Sequence, residues 1–541
     1  VEPLPLLTIY HSLVIPATAM DASLPQLIQD MLQPEFYPHP VPNPIQLIQT
    51  HISYVLLAGD YAYKVKKPAN FGFLDFSSLD KRQYFCQEEL RLNRRLSPGL
   101  YLEVLSIVQT PEGHYRLSSA ADAPESVAEV TLKMQQFDQE NLFSRLFAKN
   151  QLTLAQMQTL GQDVAAFHAV AHTDAEVQAY GSLAATQQVD ENNYGLSEQF
   201  IGRSQTQTQF EQTRNFTRNF FSQHTDWFNQ RQAEGKIREC HGDLHLGNIC
   251  LYQDKIQVFD CIEFNKEFRN IDTIYDAAFL VMDLQFLGRP DLANTFLNAY
   301  LEWTGDYWGA VLLPLYLSMR AYIRGNVNSL ALNDPAISSD EKVAIQERAA
   351  AYYRLAWDYT QPQQGRIFVM SGLSGVGKST VGRELAQLSN AIHIRSDAVR
   401  KHLAGVPLQQ RGDEAGAIGS GIYTPEMTQK TYDRLQELAL LLAGQGFTVI
   451  LDAKYDRQAF RETIIRQAQT AQIPVNLLYC SAPEAVIRER LQQRQGDIAD
   501  ATEAMLAEQL KSFETFTAPE QSLLVTIHTE SDLTPQLKAL L

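Results

Sequence analysis

His241-Gly242-Asp243-Leu244-His245-Leu246-Gly247-Asn248 lies near the middle of a chain of 541 residues, and Ile256-Gln257-Val258-Phe259 leads from it to a further acid, Asp260. The loop carries a carboxylate and a carboxamide five positions apart, and a short apolar strand ends in the second carboxylate. Transfer of a phosphoryl group asks for little more: one carboxylate to orient or accept the proton of an attacking hydroxyl, and oxygen ligands to hold a divalent cation. On this reading Asp243 takes the hydroxyl, while Asn248 and Asp260 hold Mg²⁺. The spacing of Asp243 and Asn248 matches that of a kinase catalytic loop, and Asp260 stands where such an enzyme places its second metal ligand. The bland alternative is a buried polar turn in which His241 and His245 satisfy backbone groups. The strand and its terminal acid weigh against that alternative.

A site of this kind needs a lysine and a partner acid upstream. In Tyr61-Ala62-Tyr63-Lys64-Val65-Lys66-Lys67, strand alternation puts Lys64 and Lys66 on one face. Lys64 is the choice for the nucleotide phosphates and Lys66 the reserve, the alternative being surface lysines on an edge strand. A helix is expected over Leu79–Leu96, with Glu89 the partner and Glu88 left open. Lys133–Phe137 closes the last strand of this region, so the backbone at Met134 and Gln136 is expected to meet adenine. Ala58-Gly59-Asp60 reads as a hairpin turn between Ile52–Leu57 and Tyr61–Lys67. From about Asn141 to Tyr353 the pattern is mainly helical. A small β-rich lobe followed by a large helical lobe is an α+β, protein-kinase-like bilobal arrangement.

A second phosphate-handling stretch is Gly372-Leu373-Ser374-Gly375-Val376-Gly377-Lys378-Ser379. It follows the predicted strand Arg366–Met370 and opens a predicted helix, the context that makes a P-loop credible. Backbone N–H groups from Gly372 through Gly377 and on to Thr380 would cradle phosphate oxygens, with Ser374, Gly375 and Val376 inside the loop. Lys378 would reach the terminal phosphates, and the Ser379 hydroxyl would join the Mg²⁺ shell. Strand and helix patterns alternate to the end of the chain, predicting an α/β domain whose parallel sheet is covered by helices on both faces. Asp397, in Ile394-Arg395-Ser396-Asp397, falls where parallel strands end and is read as orienting an acceptor hydroxyl, with a helix N-cap at Ser396 or Asp397 the alternative. Asp452 ends the apolar run Val449-Ile450-Leu451 and is read as a metal-water ligand. Arg490 and Arg494, spaced i,i+4, suit a clamp on transferred phosphate, although surface arginines use the same spacing.

The length calls for two or three domains. The expected division is an N-terminal extension over 1–32 (with Met20 a candidate natural start), a first domain over 33–359, a linker over 360–365 and a second domain over 366–541. A formal net charge of -17 argues against a broad nucleic-acid surface. Cys86, Cys240, Cys250, Cys261 and Cys480 form no CxxC pair, which reads as reduced and cytoplasmic. Neither a signal peptide nor a membrane span is expected from the sequence.

HGDLHLGN with FDCIEF resembles the aminoglycoside phosphotransferase family, a branch of the kinase-like fold, over roughly Gln33 to Tyr359. The P-loop with SDAVRK, IYTPEM, VILDAKYDR and RERLQQR resembles small-molecule and polynucleotide kinases of the P-loop superfamily, including zeta-toxin-like and chloramphenicol-phosphotransferase-like proteins. YVLLAGDYAYKVKKP, FLDFSSLDKR, ELRLNRRLSPGLYL and FRNIDTIYDAAFLVMDL resemble bacterial proteins that fuse the two. These resemblances imply ATP or GTP, Mg²⁺ and a small hydroxyl-bearing acceptor. No Gly-rich G-x-G-x-x-G precedes Lys64, which departs from the protein-kinase pattern. Two other functions stay open: a P-loop kinase regulated by a nucleotide-binding but catalytically weak first domain, and a kinase of nucleic-acid ends. The sequence leaves the oligomeric state open.

Overall fold

The computed structural model describes residues 13–16, 24–42, 44–72, 74–119, 127–334, 337–410, 421–493, 498 and 506–541. They fall into two compact units.

The first unit takes its residues from 1–152, 171–182 and 232–276. Its centre is a seven-stranded sheet in the spatial order Leu13–Pro16, Gln46–Gln49, Ser53–Ala58, Tyr61–Lys66, Val127–Gln135, Tyr101–Gln109, Tyr115–Leu117, with every neighbouring pair antiparallel. The expected hairpin forms, with Ala58 opposite Tyr61. Gly59 makes the turn at φ +63°, and a Cβ there would meet the Pro40 carbonyl at 2.7 Å. The sheet begins with LVIP and QLIQ, strands too short for alternation to be read from the sequence. Pro16 is tolerated since its strand lies at the sheet edge. Leu47, Leu56, Val65 and Ile107 pack with Ile28 and Met31 of the helix Gln26–Met31. The predicted helix appears as Leu79–Asn93, capped by Ser78. The central loop then leads into a ribbon of Ile249–Tyr252 against Lys255–Val258.

The second unit takes its residues from 153–170, 183–231 and 277–541. It holds the helices Leu154–Val170, Leu183–Ser197, Gln207–Gln223, Pro290–Thr304, Leu313–Ala331 and Ser339–Asp358. It also holds a five-stranded, wholly parallel sheet ordered Ile392–Arg395, Thr448–Asp452, Arg366–Ser371, Val475–Ser481, Leu524–His528. Phe368, Ile450 and Leu478 from the strands pack with Val381 and Leu385 of the helix Lys378–Ser389. The compact units therefore cut the chain elsewhere than at 360–365. The reason is local: the helix Pro290–Thr304 lies along the edge strand Ile392–Arg395 and binds its backbone. Among the described residues no helix is long and apolar enough to cross a membrane.

Asp190, inside Leu183–Ser197, is buried close to Thr217 and Tyr194. Burial pushes its carboxyl up to about 7 from 3.8; Thr217 opposes the shift. Between these values the unfolded chain gives up the proton and the folded chain keeps it, so stability falls as pH rises from about 4 to about 7 and then levels off. Asp190→Asn cannot titrate. It should exceed the parent in urea unfolding at high pH by on the order of a few kcal/mol, and lose that advantage once pH drops below the unfolded value. An advantage independent of pH would contradict the assignment.

Candidate active sites

In the first unit the sheet and helix bring the expected lysine and acid together. Lys64 Nζ lies 2.7 Å from Glu89 Oε1 and 2.7 Å from Asp260 Oδ1, so one ammonium bridges the helix and the end of the ribbon. Burial pulls Lys64 down, but Asp260 and Glu89 outweigh it and hold the ammonium well above its usual range. Lys66 is not a spare surface lysine. It is buried, donates to Glu89 Oε2 at 2.6 Å, and pairs closely with Glu263. Burial would raise Glu89, yet Lys64 and Lys66 bring it down to about 2. Glu88, the open alternative, turns away to Arg91 and Arg269.

The loop is held by its own polar groups. Gly242 adopts φ +86°, and a Cβ there would meet the Phe268 carbonyl at 2.6 Å. The N–H groups of His241 and Gly242 donate to the two carboxylate oxygens of Asp276 at 3.0 and 2.8 Å. Asp276 is thus a brace for the loop, whereas Asp272 accepts the Ile274 N–H at the start of Thr273–Phe286. His241 donates from Nε2 to the Phe259 carbonyl at 2.9 Å, which leaves Nδ1 to accept the Asp243 N–H. In the same way His245 Nδ1 accepts the Gly247 N–H, so its Nε2 carries the proton and faces Asp243 Oδ2 at 3.3 Å. Asn248 Nδ2 donates to that same oxygen at 3.0 Å. Two donors therefore fix the Asp243 carboxylate. The histidines do satisfy backbone groups, and in doing so they orient the acid; the two readings of the sequence are not exclusive.

Asp260 sits at φ +61° with 44% of its side chain exposed, and its N–H donates to the Tyr101 hydroxyl. Asn248 and Asp260 offer only oxygen donors, one of them anionic, which suits a hard divalent cation. Met134 lies between Ala62 and Tyr101 in the sheet, and the Gln136 N–H donates to the Asp60 carbonyl at 2.9 Å. The backbone at these two positions is thus engaged within the sheet region. Asn93 was not foreseen: it binds the Glu89 carbonyl and accepts the Cys261 N–H, tying the residue after Asp260 to the Glu89 helix.

In the second unit the phosphate loop leaves Arg366–Ser371 and opens Lys378–Ser389. Gly372 and Gly375 adopt positive φ, and Gly377, at φ +104°, stands at the N-cap of that helix, with Ser379 and Thr380 in its first turn. Lys378 Nζ curls over the loop to the carbonyls of Gly372 and Leu373 at 3.0 and 2.8 Å. The Ser374 N–H donates to Gln509 Oε1, a group of oxygen character where the sequence places phosphate. Asp452 ends its strand in register with Met370 and Arg395. Burial would raise it, but His393, Arg395 and Lys378 hold it far below the carboxylate range, so it is an ionised oxygen donor suited to a magnesium-bound water. Asp397 lies in the first turn of Ser396–Leu403, within electrostatic reach of Lys378. Arg395, not Ser396 or Asp397, takes the N-cap position. Arg490 abuts the loop, but it binds the Val376 carbonyl and Thr529, which makes it a tie between the loop and the residue after the last strand. Arg494 lies outside the described residues. Gln509 and Thr529 carried no sequence signal, since neither belongs to a motif.

Residues 83–313 match the family model described as the phosphotransferase enzyme family, and residues 367–516 match one described as an AAA domain. The chain thus carries two kinase-type domains, an aminoglycoside-phosphotransferase-like one followed by a P-loop one. An uncharacterized protein of Mycobacterium tuberculosis is 30% identical over 472 residues, which covers 87% of this chain and 90% of the relative. The chain belongs to the two-domain family that this relative represents, since the match spans both domains. An adenylyl-sulfate kinase of Myxococcus xanthus is 31% identical over 176 residues, covering 31% of this chain and 84% of that protein. Among solved structures, a choline/ethanolamine kinase family protein from Mesorhizobium loti covers 62% of this chain and 99% of its own, at 12% identity and a TM-score of 0.38.

Proposed function

We propose that this chain is a bifunctional phosphotransferase dependent on ATP or GTP and on Mg²⁺, with catalytic domains over 33–359 and 366–541, acting on the hydroxyl group of small molecules. The observation that carries the reading is Lys64 bridging Glu89 and Asp260 while His245 and Asn248 orient Asp243. Lys64 would bind nucleotide phosphates, and Asp243 would receive the proton of the attacking hydroxyl. In the second domain Lys378 would leave its two carbonyls for the terminal phosphates, and Asp397 would orient the acceptor. Asn248 and Asp260 would hold magnesium in one domain, Ser379 and Asp452 in the other. When bound, the ion neutralises phosphate charge. A small acceptor accords with the adenylyl-sulfate kinase likeness, and the net charge of -17 disfavours nucleic acid. All five cysteines are buried and unbridged, in keeping with a reducing, cytoplasmic setting.

Calorimetry of the full chain with a non-hydrolysable nucleotide and magnesium should register about two moles bound per chain, one for each phosphate-binding lysine. One mole or none would overturn the two-site reading. An acceptor screen with γ-labelled ATP and GTP then identifies what each domain phosphorylates.

A further inference from the structure

Among the described residues, the edge strand Ile392–Arg395 has no neighbouring strand on its outer side. A helix from the phosphotransferase-family region covers it instead. Asn294 and Asn298 both donate from Nδ2 to the Ala391 carbonyl, at 2.9 and 3.0 Å, and Asn298 Oδ1 accepts the His393 N–H at 2.7 Å. One turn further along, Glu302 Oε1 accepts from Arg395 Nη1 at 3.0 Å. The spacing is matched. Four helical residues advance about 6 Å and two strand residues about 6.6 Å, so positions 294, 298 and 302 keep step with 391, 393 and 395. The helix is tied beyond the strand as well, since the Glu302 carbonyl faces His402 Nε2 at 2.8 Å.

The strand so gripped supplies two close neighbours of Asp452. His393 Nε2 lies 3.2 Å from Asp452 Oδ2, a hydrogen bond, whereas Arg395 Nε lies 3.8 Å from the same oxygen, beyond hydrogen-bonding distance. Arg395 is buried, and a guanidinium that close to an ionised carboxylate would close into a paired fork unless another acid held it. Glu302 is that acid. The buried Tyr307 hydroxyl, which has no hydrogen-bond partner among the described residues, lies within electrostatic reach of Glu302, Arg395 and Asp452.

We infer that Glu302 is a positioning residue for the phosphate-loop site: it restrains Arg395 from pairing with Asp452 and so keeps that carboxylate available to a magnesium-bound water. The inference rests on the P-loop reading of the second domain. It gives the fusion of the two domains a chemical purpose, because a helix belonging to one region tunes the metal-facing acid of the other.

The test is a magnesium titration of non-hydrolysable ATP analogue binding by the full chain, in a Lys64→Ala background that leaves the phosphate loop as the nucleotide site. Adding Glu302→Gln should raise the magnesium concentration at half-saturation about tenfold or more, with binding in EDTA unchanged. Adding Arg395→Met to Glu302→Gln removes the competing cation and should bring the midpoint back to within about threefold of the parent. If Glu302→Gln does not fold, Arg395→Met alone decides. The inference expects a midpoint equal to or below the parent's, and a merely structural ion pair predicts a higher one. An unshifted midpoint in folded Glu302→Gln, or no recovery in the double variant, overturns the inference. Failure of the P-loop reading looks different: Lys378→Ala would then leave binding in the Lys64→Ala background intact.

Discussion

Asp243→Asn is expected to lower phosphoryl transfer by the first domain by two to three orders of magnitude, corresponding to ~2.7–4 kcal/mol lost from the barrier. The substitution keeps the size of the side chain and exchanges one carboxylate oxygen for an N–H group. Asp243 Oδ2 now accepts from Asn248 Nδ2 and faces His245 Nε2, both donors. An asparagine can turn only its single oxygen to them, and its N–H₂ group then points to where a hydroxyl proton should go. Lys64, Glu89 and Asp260 are untouched, so nucleotide affinity should change little while turnover falls. Single-turnover transfer of γ-label, in a Lys378→Ala background that silences the second domain, measures this directly. A variant that kept parental rates with every acceptor of the first domain would remove Asp243 from the chemistry.

The candidate residues of both sites were legible because they reside in short, ordered stretches. HGDLHLGN, the strand to Asp260 and the P-loop each place their ligands within a few residues, and spacing alone orders them. The pairing of Lys64 with Glu89 was legible for a related reason: a hairpin strand and the following amphipathic helix have few ways to pack. What the sequence hid are contacts made at long range. Glu263 beside Lys66, Asp276 beneath the loop, Gln509 over Ser374 and Glu302 on Arg395 each join residues from separate elements, and no local pattern marks an acid as facing inward. Asp276 shows the ambiguity well. Near a helix start an aspartate reads as a cap, and only the fold reveals that its carboxylate receives two loop N–H groups instead. The edge strand Leu13–Pro16 and its neighbour Gln46–Gln49 were missed because four residues give too few alternations to register. Their pairing is fixed by the longer hairpin beside them.

Lys378→Ala should remove one of the two bound nucleotides and reduce transfer by the second domain by two to three orders of magnitude, while leaving the first domain at its parental rate. The Lys378 side chain folds back onto its own loop. Its ammonium is buried against the carbonyls of Gly372 and Leu373, and burial draws it below the ordinary lysine range even though Asp452 opposes that shift. A cation so placed gains strongly when phosphate oxygens arrive, because a dianionic group compensates the burial far better than two carbonyl dipoles. Removing it leaves the carbonyls to solvent, a modest stability cost of about 1 kcal/mol per hydrogen bond, but leaves incoming phosphate with no fixed positive charge inside the loop. Binding and stability therefore separate: calorimetric stoichiometry should drop from about two to about one with only a small change in the unfolding midpoint. A stoichiometry that stayed at two would mean that the loop holds nucleotide without its lysine, and the assignment of the second site would fall with it.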